Sequence, residues 1–118
     1  MARAPVPTPT PRHSDLLPGT LDMLVLRTVS LGPLHGYAIA QHIQRSSQDI
    51  LRVEQGSLYP ALERLQRQGW LTSKWARTPT GRRARYYTIT ASGRAQLQER
   101  KAEYGRIATA IARVMARA

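Results

Sequence analysis

The sequence predicts a small, mainly α-helical domain that carries one β-hairpin and ends in a long helix. Three observations predict this fold class. Apolar residues recur at helical spacing in three segments before residue 70, two alternating stretches flank a proline–glycine turn at residues 78–81, and the last segment carries apolar residues three and four apart. A chain of 118 residues has room for one such domain and a tail.

The charge of the chain is strongly positive and is concentrated in one stretch. Lysine and arginine number 18 against 7 acidic residues, and residues 64–98 hold eight basic residues and no acidic one. Such a focused excess indicates nucleic acid as the partner. The absence of cysteine excludes a disulfide scaffold and thiol chemistry. Because the longest apolar run is Met23–Leu26 and the N-terminus has no secretory signal, we expect a cytoplasmic protein without a membrane span.

The first half of the chain is predicted to hold a tail and two helices. Proline at every second position from 5 to 11 removes backbone donors, so residues 1–15 are expected to form a disordered tail. The first helix should begin at Thr20, a good N-cap, and end at residues 31–33, Leu-Gly-Pro. A second helix follows over about residues 35–47, and the β-branched segment Ile50–Val53 is a candidate edge strand.

The third helix should begin at about residues 55–57 and end at Gly69. Leu58, Leu62 and Leu65 form one apolar stripe, which leaves a small, polar opposite face. Pro60 is expected near the start of the helix, because proline is tolerated best in a first turn.

A hairpin and a last helix complete the domain. Residues 70–77 and 82–89 alternate in polarity and read as two strands with a basic turn between them. Thr90 can cap a helix that runs to the C-terminus, whose apolar seam is interrupted at Arg100. The predicted domains are therefore a helix-and-hairpin unit over residues 16–90 and a dimerisation helix over residues 91–118.

The order of these elements is that of a winged helix-turn-helix. In this architecture the third helix enters the major groove of DNA and the hairpin, or wing, reaches the backbone or the minor groove. The base of the wing needs hydrophobic anchors, and Trp70, Trp75, Tyr86 and Tyr87 are placed for that role. We expect both indoles in the core, with the lining of a ligand cavity as the alternative.

Four motifs carry a resemblance to a known family. They are His35-Gly36-Tyr37, the segment Gly-Ser-Leu-Tyr-Pro-Ala-Leu at 56–62, Gly69-Trp70-Leu71 after Leu65, and Arg-Arg-Ala-Arg-Tyr-Tyr at 82–87 with Thr90 and Gly93. Together they resemble the PadR family of bacterial transcriptional regulators, in its short branch with one C-terminal helix. The resemblance implies a winged helix, a homodimer joined through the first and last helices, and repression by operator binding. The wing tip departs from the common Gly-Arg-Pro-Arg-Lys form but keeps its basic charge.

These inferences yield two sets of candidate site residues. The predicted DNA-binding residues are Tyr37, Gln41, Gln55, Ser57, Tyr59, Arg64, Lys74, Arg82, Arg83 and Arg85. The predicted dimer contacts are Leu21, Leu24, Leu97, Tyr104, Ile107 and Ile111. Three alternatives stay open: Tyr37 packs on the first helix, Ser57 caps the third helix, and Arg64 pairs with an acidic neighbour.

The predicted function is that of a homodimeric repressor on an inverted-repeat operator, released by a small aromatic or hydrophobic effector. One alternative is a nonspecific architectural nucleic-acid binder, and another is a protein-interaction module that uses the C-terminal helix. The sequence offers no nucleophile elbow and no glycine-rich phosphate loop, so no enzyme is predicted. His13, His35 and His42 lack metal-ligand spacing, so no metal or other cofactor is predicted.

Overall fold

The computed structural model describes residues 18–117, and the predicted N-terminal tail at 1–15 lies outside this range. The elements follow the predicted order of three helices, a hairpin and a long helix. They are α1 (Pro18–Val29), β1 (Leu34–His35), α2 (Gly36–Ser46), α3 (Gln55–Arg67), β2 (Leu71–Arg77), β3 (Arg83–Ile89) and α4 (Ala91–Ala116). No helix in the described range is long and apolar enough to cross a bilayer.

The core lies where the first three helices meet the base of the hairpin. Leu26 of α1, Ile39 of α2 and Leu58 and Leu62 of α3 are fully buried. These residues are the inward members of the apolar stripes, since residues three and four apart share a helix face. Leu71 and Ile89, at the base of the hairpin, close the core from the sheet side.

The sheet has three antiparallel strands in the order β1-β3-β2. β2 and β3 form the predicted hairpin, which we call the wing (Leu71–Ile89). The third strand is the dipeptide Leu34–His35, which pairs with Tyr87 and Tyr86. The prediction of an edge strand at Ile50–Val53 is therefore wrong. Residues 50–53 form no strand and pair with neither edge strand of the sheet, so their β-branched side chains alone do not make a strand.

The end of α3 and the start of α4 are fastened to each other. Gly69 has a φ of +82° and follows the helix, and the Trp70 amide donates to the carbonyl of Leu65 at 3.0 Å, which is a Schellman closure. Thr90 is the N-cap of α4, since its hydroxyl accepts from the Gly93 amide at 3.0 Å. The same hydroxyl donates to the carbonyl of Gly69 at 2.7 Å. These contacts fix where α4 leaves the domain.

One predicted helix start and the expected position of one proline differ from the structure. Thr20 is not an N-cap, because α1 already includes Pro18, a residue favoured at the first helical position. Pro60 lies at the sixth position of α3 and not in its first turn, so the helix lacks the amide that would donate to the carbonyl of Gly56.

α4 is anchored to α1 by one leucine and one arginine. Leu97 is buried in the domain core beside Leu21, so neither of these predicted dimer contacts is free to meet a partner, and Leu24 is partly buried. Arg100, which interrupts the apolar seam, extends its guanidinium to 5.3 Å from the Trp70 ring centroid and 4.0 Å from Asp22 Oδ2. Arg100, which interrupts the apolar seam, is thus the second residue that attaches α4 to the rest of the domain.

Candidate nucleic-acid interface

The outer face of α3 is polar and projects from the domain. Its inner face is the buried stripe of the core, while Gln55, Tyr59 and Glu63 are exposed on the opposite side. The N-cap of α3 is Glu54, and Ser57 lies half-buried within the first turn. The alternative that Ser57 caps the helix is therefore wrong.

Tyr59 is held against the start of α2 at a position where only glycine fits easily. A Cβ atom added to Gly36 would lie 3.0 Å from Cε1 and from the hydroxyl of Tyr59. Gly36 itself is buried, and 44% of Tyr59 remains exposed. The His-Gly-Tyr motif and Tyr59, which are distant in sequence, thus form one contact that leaves the Tyr59 ring partly exposed.

His35 fixes the geometry of the same corner. Its Nδ1 accepts the Ala38 amide at 3.3 Å, which caps α2. Its ring also meets the Tyr86 ring edge-on with centroids 5.3 Å apart. A single side chain therefore ties the start of α2 to the central strand of the sheet, and the exposed Tyr37 projects from the turn that follows.

The wing presents its arginines on an ordered tip. The Thr78 amide donates to the Arg82 carbonyl at 2.7 Å, and Arg77 donates to the Gly81 carbonyl at 2.9 Å. Gly81 has a φ of +89°, a left-handed conformation that favours glycine. Arg82 and Arg83 follow directly and are exposed.

Trp75 lies outside the core, contrary to the prediction for this indole. It is 58% exposed, and the guanidinium carbons of Arg83 and Arg85 lie 5.3 and 5.9 Å from its ring centroid. Trp70 is partly buried against the core, in line with its predicted packing role. The two indoles differ because β2 extends beyond the helices that cover its base.

A cleft of about 840 Å³ separates α2 and α3 from the wing. We call it the recognition cleft and define it by the predicted DNA-binding residues that line it, together with Trp75, which was not among them. Those predicted residues are Tyr37, Gln41, Tyr59, Arg82, Arg83 and Arg85. Gln55 lines an adjoining cavity of about 490 Å³ between α2 and α3, which shares Tyr37 and Gln41 with the cleft.

Tyr87 lies near the floor of the recognition cleft and keeps its proton. Burial raises the pKa of the Tyr87 phenol above its ordinary value, and the nearby guanidinium of Arg85 acts against this rise. Tyr59 and Glu63 add to the rise, since their negative forms would repel a phenolate. The floor is therefore neutral at physiological pH, and the positive charge of the cleft resides on its wing side.

Two predicted DNA-binding residues are separated from the cleft. Lys74 pairs with Tyr86 in the hairpin register, whereas Arg85 pairs with Trp75. Because side chains alternate along a strand, Lys74 points to the opposite face from Arg83 and Arg85. Arg64 donates to Asp22 Oδ1 at 2.7 Å. It therefore pairs with an acidic residue, which was the alternative to DNA contact.

The wing arginines have no such internal partner. No ion pair between residues 18 and 117 involves Arg82, Arg83 or Arg85. Arg64 and Arg67, in contrast, pair with Asp22 and Glu63. The wing thus carries basic side chains without an ion pair next to the exposed face of α3, although Arg45 of α2 and Arg94 of α4 also form no ion pair with a described residue.

The fold and the cleft define a winged-helix protein whose third helix and wing face the same side. The sequence profile described as the transcriptional regulator PadR-like family matches residues 25–99. The chain belongs to this family, as its motifs predicted. It is accordingly a DNA-binding transcriptional regulator and not an enzyme.

Similar proteins come from several bacteria. Transcriptional regulator Rv3488 of Mycobacterium tuberculosis is 37% identical over 75 residues, which span 64% of this chain and 66% of that protein. The crystal structure of a PadR family regulator from Eggerthella lenta superposes with a TM-score of 0.72 at 29% identity, over 85% of each chain. A PadR-like regulator from Bacillus cereus gives a TM-score of 0.73 at 26% identity, over 85% of this chain and 95% of that chain.

Proposed function

We propose that the chain is a homodimeric repressor that recognises an inverted-repeat operator with two copies of α3 and two wings. The observation that carries this proposal is the recognition cleft, where six of the ten predicted DNA-binding residues meet. A polar helix face can read base edges in the major groove, while arginines beside it neutralise phosphates. The wing arginines, which form no ion pair with a described residue, and the partly exposed Tyr59 ring supply these two kinds of contact.

The exposed half of α4 supports a second copy of the chain as the dimer partner. Tyr104, Ile107 and Ile111 are 56%, 49% and 56% exposed, and Val114 continues the stripe at 69%. Steps of three, four and three residues are those of a coiled-coil seam. An apolar stripe of this length on a small domain indicates an interface. The interface we propose therefore begins beyond Leu97 and excludes the buried Leu21.

The dimer is tested by charging the stripe. We expect Ile107→Asp combined with Ile111→Asp to give a monomer in analytical ultracentrifugation, while circular dichroism stays that of a folded domain because both side chains are exposed. Thr109→Asp is the matched control, since Thr109 lies on the opposite face of α4 and is also exposed. A double variant that still sediments as a dimer would refute this seam.

The operator is tested by selecting bound duplexes from a random pool. A two-fold dimer should select an inverted repeat with half-site centres roughly 10 base pairs apart. Tyr59→Ala should lose sequence preference, since one base contact is worth about 1–3 kcal/mol. An affinity ratio of selected to random duplex near unity would indicate the architectural binder instead. A monomer that binds no duplex would indicate the protein-interaction module.

The wing is tested by the salt dependence of binding. Alanine at Arg82, Arg83 and Arg85 should weaken binding to selected and random duplexes alike, and should flatten the slope of log K against log salt by about 1 per lost phosphate contact. Tyr59→Ala should leave this slope unchanged. If the triple variant keeps its affinity and its slope, the wing does not contact DNA.

Repression is tested by transcription in vitro from a promoter that overlaps the selected operator. The protein should reduce the amount of transcript, and an increase would refute the repressor role. A small aromatic or hydrophobic effector stays a prediction, and so does action in the cytoplasm, which the short apolar runs of the sequence led us to expect. Screening such compounds for release of the labelled operator is the direct test of the effector.

A further inference from the structure

Trp75 is an exposed indole with a defined environment. It lies on β2 opposite Arg85 in the hairpin register, and Arg83 is the next residue of β3 on the same face. Both guanidinium groups lie within 6 Å of the ring centroid, at 5.3 and 5.9 Å. This is the range of a cation–π contact. The indole is not needed for the core, because it lies beyond the covered part of the wing.

The contact restricts both arginines and leaves the N–H donors of Arg83 free, whereas Arg85 also hydrogen-bonds the Tyr87 phenol. A guanidinium has five N–H groups around the edge of a plane, and stacking uses only the face of that plane. No hydrogen bond between described residues uses the Arg83 side chain, so its donors remain directed to solvent. An arginine held in this way binds phosphate with less loss of rotamer entropy than a free one.

We propose that Trp75 is a positioning residue of the DNA interface, which holds Arg83 and Arg85 along the rim of the recognition cleft for contact with backbone phosphates. This inference rests on the proposed DNA-binding function. It gives the indole an indirect role, because Trp75 orders the two arginines that contact DNA. The geometry explains why a large apolar side chain is left 58% exposed between two cations.

The first test needs no DNA. In the free protein, ¹⁵Nε relaxation should report ordered guanidinium groups at Arg83 and Arg85, and Trp75→Leu should make both mobile. Trp75→Phe keeps an aromatic face and should retain most of the order. If the order parameters are the same in the wild-type protein and in Trp75→Leu, the indole does not position the arginines.

The second test is a double-mutant cycle on the selected operator. Trp75→Leu should weaken binding about 5–30-fold, or about 1–2 kcal/mol at 1.4 kcal/mol per tenfold change, with Trp75→Phe close to wild type. The salt slope should stay that of the wild type, because the charges remain. With Arg83→Ala and Arg85→Ala already present, Trp75→Leu should have no further effect.

Three outcomes distinguish a failure of the Trp75 proposal from a failure of the proposed DNA-binding function. If Trp75→Leu binds like the wild-type protein, the inference is wrong while the DNA-binding function stands. If the loss is equally large without the two arginines, the indole contacts DNA itself and positioning is wrong. If the wild-type protein selects no duplex, the proposed function fails and this role fails with it. Thr72→Ala, an exposed change on the opposite face of β2, is the matched control.

Discussion

Gly93 offers a sharp test of how α4 is joined to the domain. It is buried in the first turn of α4, where a Cβ atom would lie 2.2 Å from the carbonyl oxygen of Trp70 and 2.8 Å from Cγ1 of Ile89. The first of these atoms belongs to the backbone and cannot rotate away. The start of α4 cannot retreat either without stretching the bonds from Thr90 to Gly69 and to Trp70, at 2.7 and 3.0 Å.

The magnitude follows from two opposing effects of Gly93→Ala. Overpacking a tight site costs about 1–3 kcal/mol, and here the contact is with backbone. Replacing glycine by alanine inside a helix returns about 0.5–1 kcal/mol. The clash exceeds the gain in helix propensity, so we expect a net loss of about 1–2 kcal/mol in the free energy of unfolding. For a domain of this size that lowers the Tm by roughly 5–15 °C.

Thermal and urea unfolding followed by circular dichroism measure this effect. Gly105→Ala is the control in the same helix, because a Cβ at Gly105 meets nothing within 4 Å. The control should be as stable as the wild-type protein or up to about 1 kcal/mol more stable. If Gly93→Ala is also as stable as the wild-type protein, α4 does not dock on Trp70 as described.

Three further substitutions test the packing around the cleft. Asp22→Asn should cost about 1–3 kcal/mol in urea unfolding, less than a fully buried pair because the Arg64 side chain is 41% exposed. Gly36→Ala should push the Tyr59 ring aside. Operator binding, measured by fluorescence polarisation, should then weaken by up to about 1–3 kcal/mol, the value of one base contact, while the Tm changes little. Leu62→Ala should cost about 2–5 kcal/mol of stability, since this side chain is fully buried.

For each of these three substitutions, one outcome would contradict the packing described above. Unchanged stability in Asp22→Asn would mean that the ion pair between α1 and α3 contributes nothing. A large loss of Tm in Gly36→Ala would mean that the Tyr59 ring cannot move and is a core residue. A loss below about 1 kcal/mol in Leu62→Ala would place this leucine outside the core.

The cleft was only partly predictable from the sequence. Tyr59, Arg83 and Arg85 follow from a polar helix face and a basic turn, which are local patterns. Arg64 shares that helix, yet its partner Asp22 is 42 residues away in the chain, and no local rule identifies it. The alternation of β2 puts Trp75 on the face of the buried Leu71, but alternation does not say where the covering helices end.

Local sequence patterns predicted the helices, the hairpin, the caps at Gly69 and Thr90 and the positive charge of the wing. These features depend on side-chain period and on backbone chemistry within a few residues, which can be read directly. Tertiary structure alone decided that Leu34–His35 is the third strand, because a dipeptide becomes a strand only when another edge pairs with it. It also decided where α4 changes from core to surface. Leu97 and Ile107 are similar residues in one helix, yet Leu97 packs into the buried core cluster while Ile107 is 49% exposed.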